Sequence, residues 1–264
     1  MDSDARRRFR LEVWLTWLAL LVALCGAGYG LRLDYGFVAQ KLPYLLGIRL
    51  TSNGFIQGAA LTLFVTCCSM VCALAVALVT ALGRMSDNPV AFALATFYAS
   101  LFRGTPLLVQ VLIIYLALPQ VGIVLGALSS GLIALSLNYG AYLAETIRSG
   151  LMAVPRGQRE AAMALGLPRW IIFYKVIAPQ ALRLIIPPAG AQFVSMLKDS
   201  SLVSIMGLWE LNFLAQAYAR ATFHYMEMLI AAALIYWAMS IVLELVQFRL
   251  ELRFGRSLLA TAKH

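Results

Sequence analysis

The chain has 264 residues, of which 62% are hydrophobic and 12% charged, with a net charge of +9. A soluble domain carries about 25% charged residues to cover its core, so half that density over this length excludes a water-facing surface and points to lipid. The positive balance does not indicate nucleic acid, because the basic residues fall between apolar runs that would be insoluble without a bilayer.

At the N-terminus, Arg6-Arg7-Arg8 precedes an apolar run from Trp14 to Leu24, a pattern common to cleaved signal peptides and retained signal anchors. Leu24 before Cys25 argues against lipoprotein processing, whereas Gly26-Ala27-Gly28 leaves a cleavage site open. A retained anchor is preferred, because it completes the topology below. Crossing ~30 Å of hydrocarbon takes about 20 residues, and six such runs can be placed: 12–31, 58–82, 103–119, 127–147, 180–200 and 226–248. The third is interrupted by Pro119 and preceded by an apolar segment, 90–102, read as an interfacial or buried helix leading into it. Segment 34–57 suits a helix lying on the outer membrane surface. Segment 201–225 is too polar to span unaided and is expected to fold over the outer mouth. Cys25, Cys67, Cys68 and Cys72 lie within apolar runs without CxxC spacing, so they read as packing residues, and no metal site is expected.

Six spans put both termini on one side. With the N-terminus inside, 15 of the 21 Lys and Arg residues lie on the inner face. Arg32, Lys41, Arg49 and Arg220 lie outside, and Arg103 and Lys198 lie at or within the membrane. The positive-inside bias therefore places both termini in the cytoplasm. The predicted organisation is an all-α integral membrane protein. Residues 1–57 form a signal anchor and outer segment, 58–250 a transmembrane unit, and 251–264 an inner tail.

The inner connection at 149–179 is too ordered in pattern for a linker. Pro155 and Gly157 break the preceding helix, and Gln158 to Leu165 are strong helix formers. Gly166 supplies a left-handed stop and Pro168 suits the first turn of a new helix, so two short helices should meet at a bend. A helix of about eight residues does not hold itself together in water; it must dock. Ala161, Ala162 and Ala164 offer a small-residue face, Glu160 sits where the helix dipole favours a carboxylate, and Arg156 and Arg159 add charge that steers a partner. Insertion into a groove on another protein satisfies these features. So does rest on the lipid surface through Trp170 and Phe173.

Glu160-Ala161-Ala162, Gly166 and Val176-Ile177-Ala178-Pro179 resemble the EAA loop of bacterial ABC importer permeases, with Val176 and Ala178 standing where that pattern has Ile and Leu. Phe102 to Gln110, Gly140 to Glu145, Pro155 to Gln158 and Lys198 to Leu202 resemble the polar amino acid uptake branch, of histidine, glutamine and arginine type. The resemblance runs from about Gly58 to Leu250. It implies a type I importer permease in the bacterial inner membrane, paired with a second permease copy or relative. It also implies a cytoplasmic ABC ATPase dimer that receives the coupling helix, and a periplasmic binding protein that delivers an amino acid. The coupling residues carried over are Gly157, Gln158, Glu160, Ala161, Ala162, Gly166, Pro168 and Pro179. The chain has no GxxxxGK[ST] phosphate loop. It is therefore expected to be a non-catalytic subunit without a cofactor of its own, with ATP and Mg on the partner ATPase.

Polar groups within a bilayer are costly and so are candidates for function. Asn138, Tyr142 and Glu145 fall at i, i+4 and i+7 on one helical face, where Glu145 either receives a substrate cation or pairs with Arg148. Gln110, Tyr115, Gln192 and Ser195 line the same pathway or act as interhelical glue. Lys198 and Asp199 gate the outer mouth or pair with each other, and Arg103, beside Gly104 and Pro106, caps a bend. An ion-driven carrier using Glu145, Lys198 and Asp199 as a proton or sodium path is the alternative from a different class.

Overall fold

A chain in lipid must satisfy its backbone polar groups internally, which helices do residue by residue. The computed structural model describes residues 3–30, 33–51 and 54–255, which fold into helices joined by short turns. Residue 31, the last of the first expected span, Arg32, and the expected tail beyond Gly255 lie outside the described residues.

In chain order the helices are α1 (Ser3–Gly30), α2 (Tyr35–Leu45), α3 (Gly58–Arg84), α4 (Pro89–Gly104) and α5 (Leu107–Leu112), the last extended by a π turn and a 3-10 turn to Val121. They continue with α6 (Ala127–Met152), α7 (Arg156–Ala164), α8 (Arg169–Ile171), α9 (Ala178–Asp199), α10 (Leu211–Thr222) and α11 (Tyr225–Gly255). A π turn, Ile172–Ile177, joins α8 to α9, and a 3-10 stretch, Ser200–Met206, follows α9.

Among the described residues, Gly58–Arg84, Arg169–Met206 and Tyr225–Arg253 are long and apolar enough to cross a membrane. Pro89–Gly104 and Leu107–Val121 meet at 105° and reach that standard only as one broken span. The third expected span, 103–119, is thus corrected: its apolar length is shared across a bend at Thr105-Pro106. The bend is where Pro106 lacks an amide hydrogen. The lead-in helix α4 is not buried either, since Leu94 and Phe97 face outward while Ala99 packs inward. The expected short helix after Pro168 is instead the inner end of a continuous rod, Arg169–Met206.

Helix α6 does not reach the same apolarity, because protein rather than lipid covers it. Ala73, Ala77 and Ala81 form a small-residue stripe on α3 that faces Leu135, Tyr139, Leu143 and Ile147 of α6 in one buried cluster. At Gly140 a Cβ would stand 2.9 Å from both Val76 Cγ1 and Tyr98 Oη, so glycine is what permits this approach.

A second cluster joins α2, α10 and α11 through Leu45, Leu211, Leu214, Ala219, Met228 and Ala232. Glu210, fully buried before α10, ties this layer to α3. Its carboxylate accepts from the Phe213 amide at 2.7 Å, the Tyr236 hydroxyl at 2.6 Å and the Thr62 hydroxyl at 3.3 Å. Burial pushes the Glu210 carboxyl up from its ordinary value, and these hydrogen bonds pull partly against it.

Glu210→Ala strands the Tyr236 hydroxyl and the Phe213 amide, at about 1–3 kcal/mol for each buried group left unpaired, and lowers the unfolding temperature in detergent. The folded state holds the Glu210 proton above the unfolded value of about 4.3. It therefore binds more protons than the unfolded chain between the two values, so stability falls as pH rises through that window and is flat above it. Glu210→Gln should flatten this part of the profile, read by thermal unfolding between about pH 4 and pH 8. A slope identical to wild type assigns it to another group.

Candidate functional site

Breaking a helix leaves carbonyls without donors. Pro106 supplies no amide hydrogen to the Phe102 carbonyl four residues before it. The Gln110 amide takes over, donating to Phe102 O at 2.9 Å, Thr105 O at 3.1 Å and Thr105 Oγ1 at 2.8 Å. Asn138 of α6 donates to Phe102 O and to Gln110 Oε1, each at 3.1 Å. The bend is thereby fastened to α6. Gln110 is a buried brace behind the bend rather than a pathway residue, and Tyr115 packs against the central apolar cluster.

The bend, α6 and α9 line an open cavity of about 510 Å³. Of the residues expected on the pathway, Asn138, Tyr142, Gln192 and Ser195 line it, together with Asp199. Arg103, Thr105 and Tyr139 line it as well. Arg103, expected to cap the bend, stands over the Tyr142 ring with its guanidinium carbon 5.5 Å from the centroid. Asp199 accepts the Tyr139 hydroxyl at 2.7 Å. No ion pair joins Lys198 to Asp199 among the described residues, and Lys198 is exposed outside the cavity lining.

Of the two readings of Glu145, the structure shows the pairing with Arg148. Glu145 is paired with Arg84 of α3, with Arg148 at 2.5 Å and with Arg103 at 3.4 Å. It is absent from the cavity lining. One carboxylate serving three guanidiniums is no proton or sodium relay. The pairing with Arg148 was legible from their spacing; Arg84 and Arg103, 61 and 42 residues away, were not.

At the inner end, α7 closes as expected on Gly166, whose φ is +72°. The Gly166 amide donates to Met163 O at 2.9 Å and the Leu167 amide to Ala162 O at 3.3 Å, the paired bonds of a Schellman stop. Pro168 caps the following helix rather than occupying its first turn. Ala162 is buried toward the body of the protein, where Ile172 is also buried. Gly157, Gln158, Glu160 and Ala161 are exposed, as is Pro179 at the start of α9.

Residues 70–256 match the family described as binding-protein-dependent transport system inner membrane component. The chain belongs to this family. The permease is 34% identical over 217 residues to the arginine transport system permease protein ArtQ of Bacillus subtilis, covering 82% of this chain and 94% of that protein. It is 40% identical over 201 residues to the L-cystine transport system permease protein TcyB of the same organism, covering 75% and 86%. Among solved structures it is similar to an amino acid ABC transporter crystallised with histidines. The TM-score there is 0.76 at 34% identity, covering 84% of this chain and 99% of that one. The MetNI methionine ABC transporter, at 19% identity and TM-score 0.59, shows the same fold. The permease thus has the type I importer fold and is a multi-pass inner-membrane component of a binding-protein-dependent importer.

Removing the shared carboxylate leaves three arginines facing one another. Glu145→Gln should destabilise the permease by roughly 2 kcal/mol, less than the loss of a fully buried pair because these side chains are partly exposed. Yield and the melting temperature of the detergent-purified protein read this. An unchanged melting temperature removes the cluster as a structural tie between α3, α4 and α6.

Proposed function

We propose that this permease carries an amino acid from periplasm to cytoplasm, driven by a cytoplasmic ABC ATPase that seats on α7. The observation that carries the reading is the division of α7. Ala162 anchors it to the body, while Glu160 and Ala161 present a free edge. A nine-residue helix held on one side only is suited to a groove in a second protein. The periplasmic binding protein and a second permease, a self copy or a relative, complete the assembly that the family implies, with ATP and Mg held by the ATPase. Both termini are cytoplasmic on this reading, and residues 58–250 form the transport unit. The cavity at the α4–α5 bend serves as the substrate pathway, with Asn138, Tyr142, Gln192, Ser195 and Asp199 supplying its polar wall. Named relatives handle arginine and cystine, so the choice of amino acid lies with this chain's own cavity and its binding protein.

ATPase closure would draw the paired α7 helices together, and the rod Arg169–Met206 would transmit the motion to the cavity wall. Glu160→Lys should cut ATP-dependent uptake by about ten-fold or more, as loss of a central interface residue does. The protein should stay folded and inserted, and ATPase recovered on affinity-purified permease should fall in parallel. Uptake at the wild-type rate would remove α7 as the coupling element.

A further inference from the structure

We propose that the cavity accepts a zwitterion with an uncharged side chain in preference to a cationic or anionic one. This rests on the cavity being the substrate pathway and adds the charge class to it.

Apart from tyrosines, the ionisable groups lining the cavity are Arg103 and Asp199. Arg103 lies beside Tyr142, and Asp199 is bound to Tyr139. Those two tyrosines are three residues apart on α6, about 4.5 Å along the axis. A guanidinium and a carboxylate lining one cavity suit the carboxylate and ammonium of a single amino acid. Arg103 can serve because its contact with Glu145 is the longest of the three, and its side chain is 40% exposed. Asp199 can serve because it has no cationic partner among the described residues.

With both charges used by the α-groups, a third charge needs a third partner. Glu145 does not supply it to a cation, since it lies outside the cavity lining and three arginines already surround it. An anionic side chain meets a different obstacle. Gln192 donates to Thr146 Oγ1 at 2.8 Å, and the Thr146 hydroxyl donates to Tyr142 O, which fixes the amide orientation. Gln192 Oε1 is then a buried acceptor without a donor. That oxygen is shut off from the cavity, so the Gln192 amide, its orientation fixed, offers an anionic side chain no countercharge.

The test is competition binding to the detergent-purified complex of this permease with its ATPase, without the binding protein, whose own selectivity would mask the cavity's. With labelled glutamine as probe, unlabelled arginine and glutamate should each compete about ten-fold or more weakly than glutamine. Asp199→Asn should abolish glutamine binding in a complex that still elutes intact. Gln192→Glu, which adds the missing carboxylate, should shift the preference to arginine, a gain that misfolding cannot imitate. Arginine competing as well as glutamine, with both lost in Asp199→Asn, overturns the charge class and leaves the cavity as the site. Glutamine binding that survives Asp199→Asn, or no binding at millimolar concentration, overturns the cavity as the site and the charge class with it.

Discussion

Helix α6 carries Asn138, Tyr139, Tyr142 and Glu145, and it can do so only because other helices cover it. Each such group facing hydrocarbon would cost several kcal/mol. The alanine stripe of α3 and the glycine at 140 bring the two helices close enough to shut lipid out along most of that length. Everything else is arranged around this pair. The bend at Thr105-Pro106 is fastened to α6 through Asn138, α9 meets it through Gln192 and Thr146, and Glu145 holds the C-terminal ends of α3 and α4 beside it. The cavity is the space left where these attachments stop.

The two functional regions are mechanically one. Residues 153–155 alone separate α6 from α7, and past Gly166 the chain enters a rod that passes Ile172, buried near α7, before reaching Gln192, Ser195 and Asp199. A π turn at Ile172–Ile177 precedes Pro179, where an ordinary α ladder would lose a hydrogen bond. The irregularity sits between α7 and the cavity wall. There a rod can yield without unpacking α6.

Much of the fold was legible in the sequence because its causes are local. Gly166 stops α7 through its own backbone conformation, and apolar length marks α3 and α11 without reference to neighbours. The face of α6 through Asn138 and Tyr142 follows from helical period alone. What was hidden depended on pairing across the chain. Of the three arginines on Glu145, Arg148 could be read from its spacing, but Arg84 and Arg103 come from α3 and α4. Gln110 could be read as a pathway donor or as interhelical glue because its real partner, the Phe102 carbonyl eight residues before it, is orphaned only by the bend at Pro106. Glu210 was overlooked, yet a carboxylate directly before a helix and between apolar residues, Trp209 and Leu211, is a capping signal that local reading can find.

Arg103 belongs to both the cavity and the arginine cluster, and that double membership has a physical consequence. Glu145 keeps Arg84 and Arg148 at short range and Arg103 at 3.4 Å. Turning Arg103 toward an anion in the cavity removes the weakest of three attractions, so the tie between α3 and α6 survives it. The guanidinium left behind is one fewer cation crowding Arg84 and Arg148, which offsets part of the lost contact. A residue so placed stands over the Tyr142 ring and has only its longest ion pair to give up to an anion. Glu145 thus touches the cavity one step removed, through the arginine it shares with the lining.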